Sequence, residues 1–402
     1  MAVITCIEDL RRLARRRVPR MFYEYVDCGS WTGSTYRANE RDVAAICFRQ
    51  RVAVNVENRS LRTAMIGEEV TIPVALAPIG LCGMQWPAGE IHAARAAEKF
   101  GVPFCLSTMS ICSIEELTAA TAKPFWFQLY VMRDRGFVER LIARAKEAKC
   151  PALIATLDLP FMGQRHNDIR NGLAVPPRLT IPNLVDLARR PRWCLGMLRA
   201  RRWRFGNFAG HVKGVSDAIS LLAWIAGQFD PSVTWDDIAW IRRLWPGKLV
   251  LKGIMDAEDA KRAIETGADA IVVSNHGGRQ LDGAPSSIYA LPRIAQAVGS
   301  RTEIWFDGGI RSGQDILKAL ALGAKGTMIG RAFVYGLGAM GETGVRLCLD
   351  ILANELSATM ALCGVTKISQ VDSSVLVTPP RVQILSPDEV LPRREAGHTI
   401  AR

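Results

Sequence analysis

The sequence predicts an α/β fold in which eight parallel strands close into a (β/α)8 TIM barrel, with an N-terminal helical cap and a long basic insertion. Eight short apolar runs recur along the 402 residues, helical patterns such as "AEDAKRAIETGA" separate them, and polar residues stand where the runs end. Near-continuous apolar strands are typical of parallel sheets that helices cover on both faces. An open doubly wound sheet is the alternative that strand count alone leaves open.

The predicted strands follow one another through most of the chain. In order they are "PVALAP" (73–78), "PFCLS" (103–107), "FWFQLY" (125–130), "LIATLD" (153–158), "KLVLK" (248–252), "AIVVS" (270–274), "EIWFD" (303–307) and "GTMIG" (326–330). Residues 1–70 are expected to form helices and a cap. We expect residues 1–375 to form one cofactor-binding barrel domain and the polar tail 376–402 to be flexible.

One connection, between the fourth and fifth strands, is far longer than the others and holds an insertion at about 178–230. From Arg178 to Lys213 it carries nine Lys/Arg residues and one acid, Asp186. The apolar residues interleaved with them are Leu184, Leu187, Trp193, Leu195, Met197, Leu198, Trp203 and Phe205. Arginine mixed with tryptophan and leucine favours contact with an anionic membrane surface. The alternative is a basic insertion packed on its own domain or on a neighbouring subunit.

Composition excludes several other classes of protein. The net charge is +12, but no recognition motif accompanies it, so nucleic-acid binding is disfavoured. The basic N-terminus lacks the apolar core of a signal peptide, and no apolar run is long enough to span a bilayer. Ten cysteines without a CxxC pair indicate neither a disulfide framework nor a metal site.

Polar residues at the strand ends predict the active site, because barrel enzymes place their chemistry at the carboxyl ends of the strands. Those positions are Ala77 and Pro78, Ser107, Gln128 and Tyr130, Thr156 and Asp158, Lys252, Ser274 with His276 and Arg279, Asp307 with Gly308 and Gly309, and Gly330 with Arg331.

The last two strands end in "DGGIRSGQD" and "GRAF", which predict a phosphate site. Glycine-freed backbone amides beside Arg311 and Arg331 form an anion cradle where barrels usually hold phosphate. A single phosphate indicates a mononucleotide. Lys252, at the end of "VLK", suits a flavin ring that gains negative charge on reduction, with a Schiff-base lysine as the alternative.

The stretch "SNHGGRQLDG" (274–283) predicts acid–base chemistry on a carboxylate. His276 can take a proton, and Arg279 offers a two-pronged donor for a carboxylate. Asp158 can stabilise the imidazolium that forms. Asp282 is a second candidate for that role, although a loop-anchoring function suits it better.

These stretches, with "WFQLYV" and "LAPIGLCGM", resemble the FMN-dependent 2-hydroxy-acid dehydrogenase and oxidase family, which includes L-lactate dehydrogenases, glycolate oxidases and mandelate dehydrogenases. The resemblance runs from about residue 5 to about residue 370. It implies FMN as cofactor and oxidation of an L-2-hydroxy acid, L-lactate first, with L-mandelate or an oxygen-using oxidase as alternatives. An FMN-dependent isomerase on the same barrel has no need of two arginines around a carboxylate.

The resemblance also implies roles for individual residues. His276, Asp158 and Lys252 match the catalytic residues, and Tyr23, Tyr130, Arg165 and Arg279 match the residues that bind substrate. The positions matching flavin contacts are Ser107, Gln128, Thr156, Lys252 and Ser274 for the ring and ribityl chain, and Asp307, Gly309, Arg311, Gly330 and Arg331 for the ribityl and phosphate end, together with Ala77, Pro78 and Gly308 at the strand ends.

The same resemblance implies the partners. Gly80 in "APIG", where oxygen-reactive members tend to read "APTA", favours a dehydrogenase. The basic insertion is similar to the membrane-attaching segment of the bacterial lactate and mandelate enzymes. A quinone or cytochrome acceptor, a peripheral place on the cytoplasmic side of the inner membrane, and a homotetramer are therefore expected.

Overall fold

The barrel predicted from the apolar runs is present in the computed structural model, which describes residues 3–173, 180–200, 204–212, 224–225 and 227–377. Its strands are β3 (Val74–Leu76), β4 (Cys105–Ser107), β5 (Trp126–Tyr130), β6 (Ala152–Thr156), β7 (Lys248–Ile254), β8 (Ala270–Val273), β9 (Glu303–Asp307) and β10 (Gly326–Ile329). They pair in parallel in the order β3-β10-β9-β8-β7-β6-β5-β4. A parallel bridge between Leu76 and Phe104 joins the two ends of that order. The open doubly wound alternative is therefore wrong, and each predicted run overlaps one strand.

Both faces of the strands are buried, which explains their continuous apolar sequences. One set of side chains, represented by Ile154, Val250 and Val272, fills the barrel interior. The alternate set, represented by Leu153 and Leu251, packs outward against the helices. A polar side chain within these strands would lose hydration on either face, so polar residues accumulate at the strand ends.

A short antiparallel hairpin, β1 (Thr63–Met65) and β2 (Glu68–Val70), closes the amino end of the barrel. Met65 of the hairpin packs with Trp126 and Trp305 inside the barrel. The two indole rings stack with their centroids 4.9 Å apart, and Trp126 Nε1 donates to Glu68 Oε1 at 2.9 Å. The chemistry must therefore lie at the other end.

Helices surround the barrel and precede it. Their bounds are α1 (Ile7–Arg17), α2 (Arg20–Val26), α3 (Ser34–Ala44), α4 (Cys82–Gln85), α5 (Gly89–Phe100), α6 (Ile114–Ala120), α7 (Arg135–Glu147), α8 (His166–Arg170), α9 (Ile181–Ala188), α10 (Pro191–Ala200), α11 (Trp235–Leu244), α12 (Ala257–Glu265), α13 (Ser287–Val298), α14 (Gly313–Ala321), α15 (Arg331–Met340) and α16 (Glu342–Leu362), with 3₁₀ turns at His276–Gly278, Ile368–Gln370 and Ser373–Val375. The first three form the predicted cap. Capping boxes begin some of these helices, as at Ser113 and Glu116 of α6.

The described part of the insertion packs one face of α10 inward. Trp193 is buried, donates from Nε1 to the Met84 carbonyl at 3.0 Å, and stacks on Phe22 at 5.4 Å. Met197 is buried as well. The expectation that these two residues contact lipid is therefore wrong for this face, because they hold the insertion on its own barrel. Trp203 lies outside the described residues.

The opposite face of α9 and α10 is apolar and exposed. We define the α9–α10 surface as Ile181, Leu184, Val185, Leu195 and Leu198, flanked by the exposed arginines Arg189, Arg192 and Arg199. Exposed apolar side chains grouped with arginines are the composition of a membrane-contacting surface. Among the described residues, no helix is both long and apolar enough to cross a bilayer.

The chain after the last helix stays attached to the barrel as far as the structure describes it. Leu376 is buried and forms an antiparallel bridge with Phe48, and the Val377 amide donates to the Cys47 carbonyl at 3.0 Å. The predicted tail thus begins with two packed residues, and 378–402 lie outside the described residues.

Candidate active site

The carboxyl ends of the strands open into one cavity of about 690 Å³. The predicted site residues that line it are Ala77, Pro78, Tyr130, Thr156, Arg165, Lys252, His276, Arg279, Asp307, Gly308, Gly309, Arg311, Gly330 and Arg331. Residues scattered over 250 positions of sequence meet here because parallel strands bring their carboxyl ends to one rim.

Ser107, Gln128 and Ser274 are predicted residues that lie just behind this lining. Ser107 donates to Gln128 Oε1 at 3.0 Å, and Ser274 Oγ accepts from Lys252 Nζ at 2.6 Å. All four side chains are buried. They position the groups that face the cavity. Asp158 is also behind the lining, in contact with His276.

His276 and Asp158 form a close pair, with Nδ1 and Oδ1 2.9 Å apart. Burial alone would raise the pKa of Asp158, but the charges of His276 and Lys252 outweigh it and hold that pKa below its ordinary value. Gly253 makes room for this carboxylate, since a Cβ there would lie 2.7 Å from the Asp158 side chain. The ring can accept a proton at Nε2 while Asp158 balances the charge.

Two partly buried arginines face the same cavity. Arg279 donates to the Tyr25 carbonyl and lies 4.7 Å above the Tyr25 ring. Arg165 donates from Nη2 to Gln280 Oε1 at 3.3 Å, while its Nε has no partner in the described chain. Burial, and after it the charge of Arg279, lower the pKa of Arg165. Two guanidinium groups this close together call for an anion between them.

The tyrosine predicted from the first helices is displaced by two residues. The hydroxyl of Tyr23 donates to Asp27 Oδ2 at 2.7 Å, away from the cavity, while Tyr25 lines the cavity. Met21, Phe22, Tyr25 and Val26 share one face of α2, which excludes Tyr23. Helical periodicity was the signal that could have identified Tyr25. On the opposite wall, burial raises the pKa of Tyr130, so its hydroxyl keeps its proton.

Asp27 is the centre of a separate buried cluster. Its carboxylate accepts hydrogen bonds from the hydroxyls of Tyr23 and Tyr335 and pairs with Arg11 at 3.0 Å. Burial raises the pKa of Asp27, but these hydrogen bonds and the charge of Arg11 outweigh it and keep the pKa low. The cluster fixes the cap helices against the barrel.

Lys252 and Asp307 face the middle of the cavity as a buried pair. Lys252 Nζ lies 2.6 Å from Asp307 Oδ2. The second carboxylate oxygen, Oδ1, has no partner in the described residues. The pair therefore offers a cation and a free acceptor to a molecule in the cavity.

The end of the cavity beyond them is built for an anion. Arg331 is held by carbonyls of Val26, Cys28 and Gly277 at 2.7–2.9 Å, and Arg311 pairs with Glu40 at 2.8 Å. Gly309 has φ +92°, and a Cβ there would lie 2.2 Å from the Asn39 carbonyl. Gly309 is therefore required by its close packing on α3, and α15 begins at Arg331, so that its N-terminus adds backbone amides to the same end of the cavity.

The FMN-dependent dehydrogenase family matches residues 14–378 of this chain. The chain belongs to this family. It is 47% identical over 383 residues to an L-lactate dehydrogenase of Caulobacter sp. (strain K31). The aligned region covers 94% of this chain and 100% of that relative. An L-lactate dehydrogenase of Pseudomonas syringae pv. syringae (strain B728a) is 45% identical over 379 residues, with 93% and 99% covered.

Solved structures of this family share the fold. The crystal structure of the monotopic membrane protein (S)-mandelate dehydrogenase superposes with a TM-score of 0.90 at 36% identity, over 94% of this chain and 100% of the other. A mandelate oxidase structure superposes with a TM-score of 0.78 at 34% identity, over 93% and 98%. The protein is thus an FMN-dependent dehydrogenase on a (β/α)8 barrel.

The cavity residues fit FMN on a structural criterion. Gln128 Nε2, Thr156 Oγ1 and Asp307 Oδ1 are buried polar atoms without a hydrogen-bond partner in the described chain, and buried polar groups of this kind require one. A flavin ring and its ribityl chain offer both donors and acceptors. Arg311 and Arg331 suit its phosphate. The described residues contain no cluster of three or more ligands suited to a metal ion.

Asp168 is a cavity residue that the sequence reasoning missed. It lines the cavity from α8, with its Oδ2 3.9 Å from Arg165 Nη1. Burial raises the pKa of Asp168 more than Arg279 and Arg165 lower it. The signal was the spacing in "RHND", which places Arg165 and Asp168 one helical turn apart.

Proposed function

We propose that this FMN-dependent dehydrogenase oxidises an L-2-hydroxy acid, and L-lactate in particular, to the 2-keto acid. The observation that supports it most directly is that the His276–Asp158 pair and two partly buried arginines face one cavity with the groups that fit a flavin. Isomerisation would not need the two arginines. Bound FMN supplies an electron-accepting ring.

Each protein group has a part that follows from its position. Arg165 and Arg279 bind the substrate carboxylate, and the hydroxyls of Tyr25 and Tyr130 hydrogen-bond to substrate oxygens. His276 accepts the proton at Nε2, because its Nδ1 already contacts Asp158 at 2.9 Å. Asp158 stabilises the imidazolium so formed.

The charged groups at the flavin end complete the arrangement. Lys252 holds a positive charge beside the ring, where reduction adds negative charge. Ser274 accepts from Lys252 Nζ at 2.6 Å and thereby directs it, and Ser107 orients the Gln128 amide. Arg311 and Arg331 hold the phosphate, with Gly308, Gly309 and Gly330 allowing close backbone approach.

L-Lactate is the preferred substrate because relatives at 43–47% identity are named L-lactate dehydrogenase. A second candidate is L-mandelate, and the apolar part of the cavity favours it. Leu81, Met84, Ile111, Phe205 and Ile225 give the cavity an apolar lining, which suits a larger side chain.

The test is anaerobic flavin bleaching. The purified yellow protein is mixed in turn with L-lactate, D-lactate and L-mandelate, and the visible absorbance of the oxidised flavin is followed. We expect rapid bleaching by L-lactate and none by D-lactate. Bleaching by no 2-hydroxy acid would refute the proposal, and faster bleaching by L-mandelate would reassign the substrate. Slow recovery in air would identify a dehydrogenase and fast recovery an oxidase.

We also infer the electron acceptor and the cellular place. A membrane quinone or a cytochrome receives the electrons, and the α9–α10 surface rests on anionic lipid at the cytoplasmic side of the inner membrane. The likeness to a monotopic membrane protein supports the lipid contact. A homotetramer is the proposed assembly. Reduction of a short-chain quinone or a cytochrome by L-lactate, and light scattering for the mass, test these points.

A further inference from the structure

A mostly buried carboxylate, Asp168, lies where the substrate carboxylate is expected. Asp168 lines the cavity beside the arginines, and its side chain is only 15% exposed. Oδ2 lies 3.9 Å from Arg165 Nη1, too far for a hydrogen bond, and Oδ1 has no partner in the described residues. The proposed reaction leaves this group without a part.

Cations outnumber other charged groups around Asp168. The ionisable groups on its own and adjacent elements are Arg165 just before α8, His166 and Arg170 on α8, Arg20, Tyr23, Glu24, Tyr25, Asp27 and Cys28 on α2 and in the turn after it, and His276 and Arg279 after β8. Glu24 is already bonded to Asn171 at 2.7 Å. Asp168 is the carboxylate whose charge interacts with both guanidinium groups, those of Arg165 and Arg279.

We propose that Asp168 is the resident counter-ion of the Arg165–Arg279 pair. When a substrate carboxylate binds to the pair, Asp168 takes up one proton from solvent. In the free site one carboxylate partly neutralises two guanidinium groups. A second carboxylate then arrives in the same poorly solvated space, and two like charges so close cannot both remain ionised at low cost. Asp168 takes up H⁺ and becomes a neutral acid, and no bond of the substrate changes.

The sign of the pH dependence follows. Asp168 is a positioning residue whose pKa rises again when the anion binds, because a negative charge has been added beside it. Anion binding is therefore tightest below the pKa of the free site. It weakens as the pH rises toward the pKa of the complex, by up to about tenfold per pH unit. This inference rests on the proposed function, since it requires a carboxylate ligand.

The experiment uses the FMN-loaded enzyme and pyruvate, a 2-keto acid that is a monoanion across the range. Titration calorimetry between about pH 5 and about pH 8, in buffers with different ionisation enthalpies, counts the protons taken up on binding. The variants are Asp168→Asn, Asp168→Glu as the conservative replacement, and Asp259→Asn on the exposed face of α12 as a matched control. Flavin content and absorbance establish that each variant is folded.

We expect the wild type, Asp168→Glu and the control to take up a proton when pyruvate binds. Asp168→Asn should lack this proton uptake and should bind pyruvate at least about tenfold more tightly than the wild type at neutral pH. His276 faces the same cavity, and any component it contributes stays in Asp168→Asn. Unchanged proton uptake in Asp168→Asn, weaker binding at every pH, or a wild type with no uptake would overturn the inference.

The two proposals fail differently. A wild type that binds no pyruvate and is bleached by no 2-hydroxy acid overturns both. A wild type that is bleached by L-lactate and binds pyruvate without proton uptake overturns only the role of Asp168.

Discussion

Replacement of Asp158 by asparagine isolates the charge behind His276. The carboxylate and the ring are 2.9 Å apart and mostly buried. At a charge separation of ~4 Å and an effective dielectric constant of about 20, the attraction amounts to about 4 kcal/mol. The amide keeps the size and one hydrogen bond of the acid, so a loss of about 2–4 kcal/mol is expected. Flavin reduction by L-lactate should slow by about 30- to 1,000-fold.

The assay is anaerobic stopped-flow reduction of the Asp158→Asn enzyme at saturating L-lactate, so that the rate reports the proton-transfer step rather than binding. Glu258→Gln, on the exposed face of α12, is the control and should reduce at the wild-type rate. Pyruvate affinity should change little, because the arginines are untouched. A reduction rate within about threefold of wild type would refute the role of Asp158 as counter-ion.

Three further perturbations have defined outcomes. Gly80→Ala places a Cβ 3.3 Å from the Tyr25 hydroxyl. The KM for L-lactate in steady-state assays should therefore rise about threefold to tenfold while FMN stays bound. An unchanged KM would exclude this contact. Asp27→Asn should lower the free energy of unfolding in urea by about 3–5 kcal/mol at neutral pH. Because the pKa of Asp27 is low in the folded state, this difference is present above the unfolded pKa of about 3.9 and should shrink as the pH falls below it; a constant difference would contradict the charge argument. Leu198→Asp should weaken sedimentation with anionic vesicles about tenfold to a hundredfold, whereas Leu362→Asp, equally exposed on α16, should not; equal losses would rule out the α9–α10 surface.

The barrel could be predicted from the sequence because burial of both strand faces requires a simple sequence pattern, a run of apolar residues with polar ones at its end. The hairpin at the amino end has no such pattern. Its strands are three residues each, and only the last residue of each is buried, so they are too short to distinguish from a loop. Pairing of Trp126 with Trp305, distant in sequence, is likewise a property of the closed barrel.

The site was predicted well where a residue is tied to a strand end, and less well where a helix or a loop presents it. Tyr23 and Tyr25 differ in role because α2 turns about 100° per residue, so only one can face the cavity. Asp168 lies in a helix of five residues within a long connection, and Arg165 stands just before that helix. The direction of Trp193 depends on tertiary packing against Phe22, which no local pattern encodes.

The hairpin at the amino end of the barrel also limits the routes by which molecules reach the cavity. With that end filled by Met65 and the stacked indoles, the described chain leaves the carboxyl-end mouth as the way into the cavity. Phe205 and Ile225 of the insertion line the same cavity. We therefore expect the reductant and the oxidant to use the same opening in turn. The keto acid should then leave before the acceptor binds, which would give the kinetics of a double-displacement cycle, with parallel lines in reciprocal plots.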